Sequence, residues 1–575
     1  MDTRSILVVV AAMLCVALAT VAVTVLLVTR PWDSGHGSIT NGTCLCVSNG
    51  GGVNITKTVC GGSAVARVDT GDCVVYQSET ATCPTDGALW YLVERRKQVG
   101  WIPGEVLVEV GSYQCRKASF PQREFRGLWV ATVANIDWPS SNSSLPATQQ
   151  QEMTSYLDIM QELNMNAIIF QVRPAGDAFY ASTLEPWSRY LTGRQGREPF
   201  PLWDPLDFII LQAHARGIEV HAWLNPYRAN MEPNWDGLAP NHMANRLPQF
   251  AYPYGNYLWM DPGSTEVADH LERVLEDLAI RYDLDGIHFD DYFYPYPVDG
   301  VDFPDNVTWA DYEARGGKLS RADWRRDNVN KMVYRANNLT RVHGIKFSVS
   351  PFGLYRPGAS GGMPEPITGF DPYDGLYADA KAWLQRGWLD YLVPQLYWAV
   401  ESTGQNYNIL LSWWLQADTA GRHIVPGNAV YKLDRWPVTE LVEQIATSRR
   451  LDAAGNVLFS AKYFRDNVKN VRQIFQESVY PNKTLAPEAP WVGLPRPPPP
   501  SMVQVDRHGL IRWDRARTVR FWVIYEAANE AWRLRQVLDA SVTSQRVRPG
   551  SYAIRAVNKA SQESNAAYVT FSPVN

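Results

Sequence analysis

From Phe125 to about Tyr480 one pattern recurs eight times: a short apolar run rich in Val, Ile, Phe and Trp, then a segment with helical period. The strand candidates are 127–133, 167–173, 218–224, 285–290, 346–351, 390–396, 423–427 and 456–461. Between them apolar residues recur near i, i+3, i+4 and i+7, as in Met153-Tyr156-Leu157-Met160, Val267-Leu271-Val274-Leu275-Leu278 and Val329-Met332-Val333-Ala336. Strands that alternate with helices build βαβ units, and these build a parallel sheet. Eight units predict a closed (β/α)8 TIM barrel, with an open doubly wound sheet as the alternative. No G-x-G-x-x-G follows the first strand and there is no phosphate loop, so a nucleotide site gains no support. The expected fold class is α/β: a barrel over 124–484, flanked by a small disulfide-bonded β domain and a C-terminal β-sandwich.

The flanks carry other signals. Ile6 to Val28 is a run of 23 residues without charge, long enough to span a bilayer. Residues 1–30 are therefore expected to form a transmembrane signal anchor, with a cleaved signal peptide as the alternative. Arg4 and Arg30 flank the run too evenly to set its orientation. Six N-x-Ser/Thr sequons, at Asn41, Asn54, Asn142, Asn306, Asn338 and Asn482, predict N-glycans and a body that is extracellular or lumenal. Besides Cys15 in the apolar run, the cysteines Cys44, Cys46, Cys60, Cys73, Cys83 and Cys115 all precede the barrel. An even set in an exported segment predicts disulfides of open connectivity. Metal binding is disfavoured, since no His accompanies them and Cys44 and Cys46 are too close for a C-x2-C half-site.

Residues 31–42 read as a stalk. Over 43–118 short strand-like runs alternate with Gly-Asp and Asp-Gly turns, and Trp90-Tyr91 with Val99-Gly100-Trp101-Ile102-Pro103-Gly104-Glu105 resembles the end of a bacterial-type SH3-like domain. Residues 485–500 are Pro-rich and read as a semi-rigid linker. In 501–575, Leu510–Trp513, Arg520–Tyr525 and Gly550–Asn558 read as strands, and Trp513 and Tyr552 make the segment resemble a fibronectin type III domain, a spacer or partner module. Lys+Arg 54 against Asp+Glu 59 leaves a net charge of −5 and no basic tract, which argues against nucleic acid as a partner.

In a barrel of this kind the strand C-termini carry the chemistry. They are polar throughout. The second ends in Gln171 and Arg173, followed by Asp177. The third passes through His221 to Asn225, Tyr227 and Arg228. The fourth delivers His288, Asp290, Asp291 and Tyr292, and the sixth Gln395, Tyr397 and Trp398, with Glu401 beyond. Glycoside hydrolysis needs two carboxyl groups at the scissile bond. Asp290 is the first candidate, held ionised by Arg173; in a regular strand it shares a face with His288 while Asp291 turns away. Asp291, Glu401 and Asp177 are the candidates for the second carboxyl. Arg173, Gln171, His221, Asn225, Tyr227, Arg228, His288, Tyr292, Gln395, Tyr397 and Trp398 are expected to bind substrate. There is no G-x-S-x-G elbow, no H-E-x-x-H and no His pair at ligand spacing, so neither a cofactor nor a metal is expected.

The stretches Phe125–Val130, Gln171–Tyr180, Trp223–Arg228, Asp285–Pro295, Ser350–Gly353 and Pro394–Trp398 resemble the glycosyl-hydrolase-like ten family. The resemblance implies a TIM-type barrel and hydrolysis of polysaccharide glycan strands, as in bacterial members similar to a division-site glycosidase of peptide-free peptidoglycan. The chain differs from bacterial members in its anchor, its cysteine-bearing unit and its sequons. Its Gly-x-His-x-Asp spacing is also similar to α-amylase-like and α-galactosidase-like barrels, whose strand-four Asp is the nucleophile; that analogy favours Asp290 over Asp291. The competing reading is a non-catalytic carbohydrate-binding or adhesion protein, which a lone carboxyl in the cleft would support.

Overall fold

The computed structural model describes residues 44–47, 53–68, 73–95, 98–103, 107–109, 123–528 and 531–572. The expected anchor and stalk, Asn41 and Cys115 lie outside them. Among the described residues no helix is long and apolar enough to cross a membrane.

All eight expected barrel strands form: Phe125–Val130, Ala167–Arg173, Glu219–Leu224, Gly286–Phe289, Lys346–Val349, Tyr391–Leu392, a split seventh at His423–Ile424 and Gly427–Ala429, and Gly455–Phe459. Every pairing among them is parallel. Pro426, which has no N–H to give a ladder, splits the seventh strand. Its first piece pairs with the sixth strand and its second with the eighth, and the eighth pairs with the first. The ring is therefore closed, as the eightfold pattern predicts, and an open sheet is excluded.

Each strand obeys the two-residue period of an extended chain. Leu128, Ile168, Phe170, Val220, Ile287 and Phe347 face outward into the helical layer, while Phe125, Trp129, Ile169, Trp223, Tyr391 and Val457 fill the barrel. The helices carry the apolar stripes expected of them. Thr265–Arg281, capped by Ser264 on the Val267 N–H, buries Val267, Leu271, Val274, Leu275 and Leu278. Gly286 is required by close packing: a Cβ there would lie 2.0 Å from His221 Nδ1.

Charges inside the barrel are paired along its floor. Lys346 Nζ lies 2.8 Å from Glu219 Oε2 and 2.8 Å from Ser561 Oγ. Asp285, at the foot of strand four, takes the Val220 N–H at 2.8 Å and meets His214 Nε2 at 2.8 Å and Arg520 Nε at 2.7 Å. Arg520 also grips Asp283 through both terminal nitrogens. Ser561 and Arg520 belong to the C-terminal region, whose described strands form a three-stranded and a four-stranded antiparallel sheet. Trp513 is buried there, and the Tyr552 hydroxyl donates to the Arg548 carbonyl. This region is clamped to the barrel floor and is not a free spacer. The Pro-rich stretch is likewise packed: Ala489 N bonds the Ala560 carbonyl and Asn558 Nδ2 the Pro495 carbonyl.

The N-terminal unit is a seven-stranded antiparallel sheet around Ile55, Val68, Val74, Tyr91, Val93 and Ile102. Of the expected disulfides, Cys60–Cys83 is present; the side chains of Cys44, Cys46 and Cys73 lie outside the described residues. The sequon residues Asn54, Asn142, Asn306, Asn338 and Asn482 are all exposed.

The floor contacts make a stability prediction. Arg520→Met strands the Asp285 carboxylate, buried at 0 % exposure. Removing one partner of a buried ion pair costs about 3–5 kcal/mol. Denaturant unfolding of the full chain is expected to read a loss of that order; an unchanged midpoint would show that Asp285 does not depend on Arg520.

Candidate active site

A cavity of about 380 Å³ opens at the C-terminal ends of the strands. All eight contribute to it: Trp129, Gln171, Trp223, Asp290, Ser350, Gln395, Tyr431 and Phe459 come from the ends of strands one to eight or the residues just beyond. Asp291, Tyr292, Tyr296, Phe352, Tyr397, Tyr257 and Arg228 complete the wall. Its only carboxyl groups are Asp290 and Asp291. A larger open hollow of about 590 Å³ is lined by Met243, His270 and Arg273 among others, with no Phe, Tyr or Trp in its wall.

Asp290 is oriented by N–H donors alone. Trp223 Nε1 donates to its Oδ2 at 2.9 Å. Asn225 Nδ2 reaches both oxygens, at 3.1 and 3.2 Å, and the Tyr292 N–H reaches Oδ1 at 3.2 Å. Asn225 is fixed in turn, because its Oδ1 accepts the N–H groups of Tyr227 and Arg228. Asp291 has partners of another kind: the Tyr296 hydroxyl donates to Oδ2 and Gln395 Nε2 to Oδ1 at 2.9 Å. Burial pushes Asp290 up to about 7, against the opposing pull of the Arg228 guanidinium and with further help from the neighbouring Asp291 carboxylate. Burial raises Asp291 as well. The Asp291 charge acts on Asp290, so the titration of one influences the other.

Three expectations need correction. Asp291 does not turn away: the regular strand stops at Phe289, so Asp290 and Asp291 both sit in the turn beyond it and both reach the cavity. Arg173 does not touch Asp290. It is fully buried with Glu185 at 2.7 and 2.5 Å, and the cation beside Asp290 is Arg228, anchored on the Pro174 carbonyl and lying 5.1 Å over the Tyr292 ring. Neither remaining carboxyl candidate lines the cavity. Glu401 is exposed in a turn, and Asp177 closes its own loop by accepting the Ala175 N–H and Gln195 Nε2.

Of the expected binding residues, Gln171, Arg228, Tyr292, Gln395 and Tyr397 line the cavity. His221 and His288 lie one layer deeper, because they stand two residues before the inward side chain at each strand tip. His221 bonds Tyr391 and Glu219, and His288 bonds Ser348 and Ser350. Burial holds His288 well below the ordinary histidine value, so its ring is neutral. Asn225 stands behind Asp290, Tyr227 is buried outside the cavity, and Trp398 packs edge-on against Phe352 at 5.8 Å. Gln171 Oε1 accepts the N–H groups of Thr132 and Val133, both at 2.9 Å, which fixes the amide and leaves buried Nε2 without a protein partner. Sequence reasoning missed Trp223 as a carboxylate donor, although the strand period places it two residues after inward-facing His221. It also missed Tyr296, whose only signal is the aromatic run after Asp291. Among the described residues no group of three His, Cys, Asp or Glu is placed to hold a metal.

Residues 124–440 match the family described as Glycosyl hydrolase-like 10. Glycosyl hydrolase YngK of Bacillus subtilis (strain 168) is 35% identical over 432 residues, covering 72% of this chain and 84% of that protein. Glycosyl hydrolase DigH of Escherichia coli (strain K12) is 33% identical over 381 residues, covering 62% of this chain and 86% of that protein. Among solved structures, the PgaB (BpsB) glycoside hydrolase domain of Bordetella bronchiseptica overlays with a TM-score of 0.40 at 13% identity, covering 62% of this chain and 98% of that one, too loose a likeness to carry an argument.

The raised Asp290 makes a linkage prediction. A carboxyl whose folded-state pKa exceeds its unfolded value near 3.8 binds its proton more tightly when folded. Its effect on stability is therefore favourable below that window and is lost as pH rises to about 7. Asp290→Asn removes the penalty, so at pH near 8 the variant is expected to melt above the wild type, with the difference shrinking towards pH near 4. Equal melting temperatures at both values would contradict the assignment.

Proposed function

This chain belongs to the glycosyl hydrolase-like 10 family, and on that premise we propose that it is a glycoside hydrolase cleaving polysaccharide glycan strands at the Asp290–Asp291 cavity. The observation that carries the reading is the pair itself: two carboxyls with different hydrogen-bond sets in one aromatic-walled cavity. N–H groups can only donate, so a proton on Asp290 would cost it one of these bonds. A hydroxyl can donate or accept, so Asp291 keeps Tyr296 as a partner whether protonated or not. Asp291 is therefore the better placed of the two to carry the proton that is transferred, and Asp290, raised to about 7 by burial, acts once its own proton is lost. Asp291 acts as the general acid that protonates the leaving glycosidic oxygen, and Asp290 as the nucleophile that meets the positive charge developing at the anomeric carbon. Trp129, Trp223, Tyr397 and Phe459 offer flat faces to the C–H faces of sugar rings, and the free Gln171 Nε2 offers a donor to a sugar oxygen.

The favoured polymer is peptidoglycan-like, as the family resemblance implies. We place the body of the protein outside the cytosol. The exposed sequon residues and the Cys60–Cys83 disulfide support that placement, since disulfides persist in oxidising compartments.

Incubation of the purified protein with peptide-free glycan strands and a polysaccharide panel, with mass spectrometry of products, tests the reading. Asp290→Asn is expected to lower kcat by about 10³-fold or more. Asp291→Asn is expected to lose natural substrates yet retain activated aryl glycosides, which need little protonation. Wild-type kcat/KM is expected to fall at alkaline pH, where Asp291, raised by burial, gives up the proton it donates. An Asp290→Asn enzyme at wild-type rate would refute the assignment. A wild type inactive on every polymer would favour the carbohydrate-binding reading.

A further inference from the structure

We infer that Arg173, Glu185 and His270 are positioning residues: they lock the tips of strands two and three together and thereby hold Asn225 against Asp290. The inference rests on the glycosidase reading of that cavity and concerns residues outside it.

Arg173 and Glu185 are both fully buried. Arg173 Nε donates to Glu185 Oε2 at 2.7 Å and Nη2 to Oε1 at 2.5 Å. This two-pronged contact sets the plane of the guanidinium, and Nη1 then meets the carbonyl oxygens of Asn225 at 2.6 Å and Pro226 at 3.2 Å. His270, from helix Thr265–Arg281, holds Glu185 Oε1 from the other side at 3.0 Å. The clamp is reciprocal, because Arg228 Nε and Nη2 return from the segment beyond strand three to the carbonyl of Pro174, at 3.1 and 3.0 Å. Between the two clamps sits Asn225, whose side chain bonds Asp290.

A buried ion pair is a poor device for stability alone, since apolar residues of the same volume commonly do as well. Apolar residues have no donors for two adjacent carbonyls, however, and those carbonyls set where the Asn225 amide points. The charged and titratable groups facing Asp290 are Arg228 from the segment beyond strand three and Asp291, Tyr292 and Tyr296 from the stretch after strand four. No hydrogen bond joins Arg173, Glu185 or His270 to Asp290, so their influence runs through Asn225.

Arg173→Lys in the full chain is the test. Lysine keeps the charge opposite Glu185 but has one ammonium in place of the fork. We expect kcat to fall about tenfold with KM unchanged, the signature of a misplaced catalytic group. We also expect the titration midpoint of Asp290 to move upward, because a slackened Asn225 stabilises its charge less. That midpoint is read by carboxyl ¹³C NMR of Asp-labelled protein, with the resonance assigned by its loss in Asp290→Asn, and needs no turnover. A folded Arg173→Lys protein with an unmoved midpoint overturns the inference, whatever its activity. A moved midpoint in Arg173→Lys, alongside a wild type that hydrolyses nothing, keeps the inference and defeats the glycosidase reading. If Arg173→Lys fails to fold, His270→Gln takes its place: it removes the imidazole contact and leaves the ion pair, the same upward shift is expected, and an unmoved midpoint overturns the inference.

Discussion

A charged group inside a parallel barrel has no water around it, and the polar architecture of this molecule follows from that constraint. Each strand sends alternate side chains inward, so the interior is built in layers. In the lowest layer Glu219 and Lys346 neutralise each other, and Ser561 closes the gap between them. In the middle layer His221 and His288 find Tyr391, Glu219 and serine hydroxyls. Only at the top do two neighbouring carboxyls share a single nearby cation, Arg228, with no ion pair to it among the described residues, and that exception is where chemistry is expected. The top layer is tolerable because Trp223, Asn225, Tyr296 and Gln395 satisfy its oxygens, and because burial raises both carboxyls and so favours their neutral forms.

The barrel was legible because its signal is periodic and repeated. Eight apolar runs separated by helical stripes leave little room for another architecture, and each stripe buried the residues its spacing marked. The site was legible only in part. Asp290 could be read from its place at a strand tip. The orientation of Asp291 could not, since nothing in Asp290-Asp291-Tyr292 marks where regular pairing stops, and one residue more of strand would have turned it outward. Glu401 follows a strand in sequence, as an acid partner should, yet the turn beyond Trp398 carries it to the surface. Arg173 looked like a partner for Asp290 because both end strands of one sheet. Its actual partner, Glu185, lies in a loop, where no period reports on contacts.

The same distinction separates the two ends of the barrel. The floor is closed by Arg520 and Ser561 from the C-terminal region, which the sequence marks only as a spacer or partner module, because long-range ion pairs leave no local trace. The mouth remains open and is lined by aromatic rings from most of the ring of strands, with Gln171 from strand two. Ion pairs hold one end and two buried, raised carboxyls occupy the other, a division expected when an active site is held at the expense of local stability.

The central claim is that water cleaves a glycosidic bond at this pair. Turnover of peptide-free glycan strands in water enriched in oxygen-18 tests it directly, because hydrolysis places one solvent oxygen on each new reducing end. The account predicts a single heavy oxygen per cleavage in wild-type products, abolished in Asp290→Asn. Products that form without taking up the label, or label that enters equally with Asp290→Asn, would contradict it.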